Sequence, residues 1–265
     1  MLDGLVSGSV ALIAGAPPDL AFRLGLAMTM LQLGIGTVND VVDAPADAGR
    51  KAGKPIPSGL VASRRAVILA GILFAGGASL ALSVSPAIGG LAVIVVAIGL
   101  AYDLRLKGTA WSWLPFAIGI PILPVFGWLG ATGGLVPAFA ILLPAAVAAG
   151  AGLAIGNALV DVERDRAAGL SSVAIVLGPT RSAAVAAGLF GAVGLAATAS
   201  AIATNRPLLL VGALAIVGLV PVGASLAATS VASARRERAW QVEAIGTAAL
   251  GTIWLALMIQ GGLGA

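Results

Sequence analysis

Long apolar segments rich in Ala, Leu and Gly follow one another along nearly the whole chain, broken only by short stretches of Pro, Gly and charge. Apolar and polar residues do not alternate strictly within them, so they read as helices rather than barrel strands. A helix needs about 20 apolar residues to cross a bilayer. The breaks define nine candidate spans, roughly 2–16, 20–41, 62–83, 87–103, 111–130, 136–159, 179–203, 207–231 and 239–261, of which the first is short. The pattern predicts an all-α polytopic membrane protein, a bundle of about nine transmembrane helices around a central cavity. No linker is long enough to separate two domains, so residues 1–265 are expected to form one. The first segment lacks a basic leading stretch and no polar region follows it, so it is not expected to be a removable signal peptide.

Composition narrows the chemistry. Charged residues make up 10% of the chain and hydrophobic residues 59%, against about 25% charged in soluble domains. The 37 glycines let helices approach closely in lipid. There is no Cys, which excludes disulfides and thiolate chemistry, and no His, which removes imidazole ligands and imidazole acid–base catalysis. Any metal must then be held by oxygen, which favours Mg²⁺, Ca²⁺ or Mn²⁺.

The sequence pI of about 10.3 would suggest nucleic acid in a soluble protein, but here the basic residues follow topology. Arg50, Lys51, Lys54, Arg64, Arg65, Arg105, Lys107, Arg164, Arg166, Arg181, Arg235, Arg236 and Arg238 flank the loops after the even-numbered spans, and only Arg23 and Arg206 lie on the other side. Thirteen against two predicts that those loops are cytoplasmic in a cell-membrane protein, with the amino terminus inside. No nucleic-acid partner is expected.

Against this background the acids stand out. The chain has eleven, and six of them (Asp40, Asp43, Asp47, Asp161, Glu163, Asp165) fall in two patches, GTVNDVVDAPAD and GNALVDVERD. Asn39, Asp43 and Asp47 are spaced four apart, and Asn157, Asp161 and Asp165 repeat that spacing. Residues four apart share one helix face. Both patches end even-numbered spans, which places them on the cytoplasmic side. Pro45 is expected to displace Asp47 past the helix end or across a kink, whereas the second patch, without an internal Pro, should stay more regular.

Helix carboxyl ends are already electronegative, so acids gathered there need positive compensation. Basic loop residues such as Arg50, Lys51, Arg164 and Arg166 can supply it as ordinary solvated pairs. Divalent metal is the other candidate. Mg²⁺ takes one or two carboxylates and fills its shell with water and phosphate oxygens. Two such patches with flanking Arg and Lys would suit Mg²⁺ bridging a diphosphate, the arrangement needed to ionise an allylic diphosphate. The matched spacing on one side favours the metal.

NDVVDAPAD resembles the first NDxxDxxxD motif of the UbiA superfamily of intramembrane aromatic prenyltransferases, and DVERD resembles its second, DxxxD-type motif. KPIPSG (Lys54–Gly59) is similar to the RPxPSG segment that follows the first motif, and YDLRLKG (Tyr102–Gly108) to the Tyr-to-Lys stretch of the fourth-to-fifth helix loop. All four stand in the family's order, and nine helices is its architecture. The resemblance implies an Mg²⁺-dependent transfer of a prenyl group from a polyprenyl diphosphate to a membrane-accessible acceptor, expected to be aromatic, in lipid or quinone biosynthesis. It implies Asn39, Asp43, Asp47, Asp161 and Asp165 as metal ligands, with Asn39, Lys54 and Lys107 on the diphosphate; Asn157, one turn before Asp161, is expected to bind the diphosphate beside them. Asp43, Asp161, Tyr102 and Lys107 would be the catalytic set, and Asp40 has no clear direct role. Lys54 stands where the family usually has Arg, keeping the charge but not the bidentate fork. With His absent, a cluster carboxylate or the released diphosphate takes the proton.

Other residues have plainer readings. Arg105 and Arg181 belong on the basic side regardless of phosphate. Arg235, Arg236 and Arg238 suit anionic lipid at the membrane surface. Asn157 can make an interhelical hydrogen bond, and Trp111, Trp113 and Trp128 fit interface belts or cavity walls. Pro121, Pro124 and Pro144 are expected to kink helices. Two other functions fit less well: a terpene cyclase using the same ionisation, and an ion-coupled transporter, which the placement of the acids at helix ends disfavours.

Overall fold

The computed structural model describes residues 2–48, 53–205, 207, 210–212 and 233–259, and the regular structure among those residues is helical, with no strand. Arg50, Lys51, Arg206 and most of the candidate span 207–231 lie outside the described residues. The elements are α1 (Leu2–Ile13), α2 (Pro18–Asp47), α3 (Ser63–Leu82), α4 (Pro86–Ala101), a π-helical turn (Tyr102–Leu106), α5 (Leu114–Thr132) and α6 (Phe139–Val160), followed by the short α7 (Val162–Ala167) and α8 (Val173–Leu177), then α9 (Pro179–Ala203) and α10 (Ser233–Met258). Among the described residues seven helices are long and apolar enough to cross a membrane, and α1 is a shorter apolar helix. The protein is a multi-pass membrane protein. Phe22, Ile72, Val93 and Leu195 are more than half exposed, as side chains facing lipid should be.

The helices form two compact units. One holds the described residues through Arg105 together with Ile122–Gly133; the other holds Leu106–Pro121 and the described residues from Gly134 onward. In the first, α2 is the hub, packed on α1, α3 and α4. Its buried face runs through Leu24, Ala27, Met28 and Leu31. Small residues close the contacts: Ser7 donates its hydroxyl to the Leu123 carbonyl at 3.1 Å. In the second unit α6 is the hub, packed on α9 and α10, and its run from Ala149 to Gly156 is buried throughout. A Cβ added at Gly150 would lie 2.4 Å from the Phe116 carbonyl oxygen, so only Gly allows the backbones this close. Gly150→Ala is therefore expected to destabilise the protein by about 1–3 kcal/mol, read as a lower melting temperature in detergent. Gly188→Ala, with nothing within 4 Å of the added carbon, is the neutral control.

Two local expectations are reversed. At 30 residues α2 is about ten longer than a bilayer requires, and it continues through Pro45 to Asp47. The proline sits so near the helix end that little of the hydrogen-bond ladder is lost, and the Ala48 amide still closes on the Ala44 carbonyl at 3.1 Å. Asp47 is thus not displaced past the helix end but is buried as its last residue. The second patch, expected to be the more regular, is the interrupted one. α6 stops at Val160, and Asp161 takes φ −102° and ψ 6° before α7 begins, in the sparsely allowed bridge between helix and strand conformations. The Asp165 amide nevertheless bonds the Asp161 carbonyl at 2.9 Å, so the two acids stay one turn apart.

Candidate active site

In the first unit the acid-bearing end of α2 meets two partners. Asn39 donates its side-chain amide to Asp103 at 2.7 Å. Asp103 is 5% exposed and sits in the π-helical turn that ends α4. Engaging the Asn39 nitrogen in this way orients its amide so that the oxygen is turned away from Asp103. Sequence reasoning passed over Asp103; the only signal was a carboxylate directly after Tyr102 in an otherwise apolar helix end. Tyr102 is half-buried in the same turn. π-turns often mark functional sites because they shift side-chain register.

The second partner is Lys54. Its ammonium is hydrogen-bonded to Asp40 and lies 3.6 Å from the Asp47 carboxylate. The hydrogen bond Lys54 donates to Asp40 holds the Lys54 pKa above its ordinary value against partial burial, with the charges of Asp40, Asp47 and Asp43 adding to it. A compact turn presents the lysine. The Ser58 amide returns to the Lys54 carbonyl at 3.2 Å, the Val61 amide to the Pro55 carbonyl at 3.0 Å, and Gly59 takes φ +78°, a left-handed conformation that favours glycine. Asp40, which had no clear role in the sequence, is therefore the carboxylate that fixes Lys54. Asp43, half-buried, lies one turn beyond Asn39.

In the second unit the acids sit at the α6–α7 junction. Asn157 is half-buried one turn before the end of α6. Asp161 forms an ion pair with Arg164. Burial raises the Asp165 pKa above its ordinary value. The Ser172 hydroxyl opposes this, the Asp161 charge adds to it, and the Arg164 and Lys107 charges oppose it. The loop carrying Lys107 is tied to this corner by the Ser171 amide, which bonds the Gly108 carbonyl at 2.9 Å. Trp113 belongs to the packing beneath, against Ile155, Val173 and Ala186, and Trp111 stacks on it with centroids 6.5 Å apart. Trp128 is buried in the first unit at 4% exposure. Arg105 and Arg181 are exposed, as a topological role allows.

One further residue escaped the sequence reading. The sequence places Arg236 in one basic run with Arg235 and Arg238 at the membrane surface, and those two are exposed. Arg236 is 4% exposed. Helix α10 begins earlier than the hydropathy pattern suggested, which brings Arg236 against α6, where it donates to the Val160 carbonyl at 3.2 Å and to the Glu163 carboxylate.

Each unit thus presents a helix end with carboxylate and amide oxygens, already faced by a cation: Lys54 in one, Arg164 in the other. Among the described residues no three carboxylates converge on a single point. The donors are oxygen only and few, which suits a hard ion such as Mg²⁺ that keeps much of its shell for water and phosphate.

A multi-pass α-helical membrane protein with acids gathered at two helix ends is the class defined by this fold and these side chains. The chain belongs to the UbiA prenyltransferase family, whose family model matches residues 4–259. It is 30% identical over 196 residues to a chloroplastic chlorophyll synthase from Arabidopsis thaliana, a match covering 69% of this chain and 50% of that protein. It is 33% identical over 189 residues to a digeranylgeranylglyceryl phosphate synthase from Natronomonas pharaonis, covering 67% of this chain and 65% of the relative. The matched region therefore spans about half to two thirds of those relatives' length. A solved UbiA homologue from Archaeoglobus fulgidus, bound to GPP and Mg²⁺, superposes with a TM-score of 0.72 at 18% identity, covering 96% of this chain and 95% of that one.

Proposed function

We propose that this protein is an Mg²⁺-dependent intramembrane prenyltransferase that moves a prenyl group from a polyprenyl diphosphate to a membrane-accessible acceptor, with its catalytic loops on the cytoplasmic face. The observation that carries the reading is the pair of oxygen-rich helix ends, each faced by a basic side chain, in a chain of this family. The Archaeoglobus neighbour, bound to GPP and Mg²⁺, supports the same ligand class.

In this reading Asn39, Asp43, Asp47, Asp161 and Asp165 supply the metal ligands. Bound Mg²⁺ would neutralise the leaving diphosphate and so favour ionisation of the allylic C–O bond. Lys54 and Lys107 face the diphosphate oxygens, and Asn157 donates to them. For that, Lys54 must exchange Asp40 and Asp47 for phosphate, a trade between anions that keeps its charge paired throughout. Tyr102 stands beside the reacting carbon. The acceptor attacks the allylic cation, and its proton passes to a cluster carboxylate or the released diphosphate. The apolar surroundings exclude water from the cation.

The Asn39–Asp103 bond has a measurable role here. Asp103→Ala frees the Asn39 amide to rotate, and the Mg²⁺ concentration for half-maximal turnover is expected to rise about 10–100-fold, the usual effect of removing a partner that orients a metal ligand.

The acceptor is open, and a quinone-precursor ring, a chlorin alcohol or a glycerol phosphate ether each fits the same diphosphate chemistry. The test is transfer from radiolabelled prenyl diphosphates in membranes across a panel of these acceptors, with and without Mg²⁺. Label moving to one acceptor only with Mg²⁺ supports the proposal. Mg²⁺-dependent consumption without any acceptor, yielding a cyclic hydrocarbon, would replace it with a cyclase.

A further inference from the structure

Burying a guanidinium within a helical bundle is unfavourable unless its charge and donors are matched. Arg236 is buried to 4% exposure while its neighbours Arg235 and Arg238 are exposed. Its partners are specific. The Val160 carbonyl is the last of α6, one of the terminal carbonyls left without an intrahelical donor, at the negative end of the helix dipole. Glu163 lies in the first turn of α7, between Asp161 and Asp165. One turn further along α10, the Trp240 indole donates to the Leu153 carbonyl at 2.9 Å. Helix α10 therefore grips α6 at Leu153 and at Val160, two turns apart, and the second grip falls where α6 stops. Side chains that insert at helix carbonyls recur where helices are distorted, and Asp161 takes its bridge conformation directly after the Val160 carbonyl that Arg236 holds.

We infer that Arg236 is a positioning residue for the second acid patch. By holding the Val160 carbonyl and Glu163 at once, it fixes the α6–α7 corner from which Asp161 and Asp165 project. It also occupies Glu163, so that this third acid of the patch stays out of the cation shell. The inference rests on the proposed metal site and deepens it; Arg236 itself touches neither metal nor substrate.

The sign of the effect separates positioning from simple charge. Removing a cation near a metal site should tighten divalent binding if Arg236 acts only through its field. Positioning predicts weaker binding. The experiment is Mn²⁺ titration by electron paramagnetic resonance on the purified full chain in nanodiscs with geranyl diphosphate present, alongside thermal melting. For Arg236→Gln the Mn²⁺ half-saturation concentration is expected to rise about tenfold or more. Unchanged or tighter binding in a folded Arg236→Gln protein overturns the inference. If that variant does not fold, Arg236→Lys decides. It keeps the charge but is too short and unforked to reach both partners, so half-saturation should rise about threefold or more; a smaller change overturns the inference. Wild-type protein that binds no Mn²⁺ with geranyl diphosphate would overturn the metal site itself, a failure visible before any variant is compared.

Discussion

Asp161→Asn is expected to lower kcat/KM for a prenyl diphosphate by at least about a hundredfold while leaving the protein folded. The substitution keeps the size and removes the charge. Asn tolerates the unusual backbone at position 161, since Asn and Asp favour such conformations when they lie outside regular helix. What is lost is the carboxylate that Arg164 now holds and that the metal would take over. Steady-state transfer from labelled geranyl diphosphate, followed as Mg²⁺ is raised, measures it. If the loss lay only in metal affinity, high Mg²⁺ would restore the rate. A deficit that persists at saturation places Asp161 in the transition state.

Lys54→Glu should be as damaging, lowering kcat/KM by about 10²–10³. The variant sets a fourth acid beside Asp40, Asp43 and Asp47 and removes the cation that now compensates them. Lys54→Arg is the informative control. It keeps the charge, adds a bidentate fork, and restores the residue found in the RPxPSG segment that KPIPSG resembles. Turnover within about threefold of wild type is expected for it. Equal damage from both substitutions would mean that the shape of the turn, rather than charge, is what matters at position 54.

Much of the architecture was legible because bilayer physics leaves few choices. Segments without strict alternation and about 20 residues long must be helices, and the span read as 179–203 coincides with α9. The acid patches were legible as candidate sites for a related reason: carboxylates at the negative ends of apolar helices need compensation. What was not legible depended on where a residue falls within its helix or on partners far away in sequence. Pro45 looked like a breaker, yet one lost amide in the last turn does not end a helix whose remaining ladder is intact. The second patch looked regular, yet its helix breaks at Val160, where Arg236 reaches the carbonyl from 76 residues downstream. Asp103 was passed over because its meaning lies in a contact with Asn39, 64 residues away. In the last two cases local propensity is silent about the tertiary contact that decides the outcome.

The proposed function stands on one claim, that the two acid patches serve a single Mg²⁺-dependent reaction. A double-mutant cycle on kcat/KM, with Asp43→Asn, Asp161→Asn and the combined variant assayed in the same membranes, addresses it. Residues acting as one unit are strongly non-additive, so each single variant should lose at least about a hundredfold and the double variant little more. Near-normal Mg²⁺-dependent turnover in either single variant, or losses that simply multiply in the double, would contradict the claim that both patches serve one reaction.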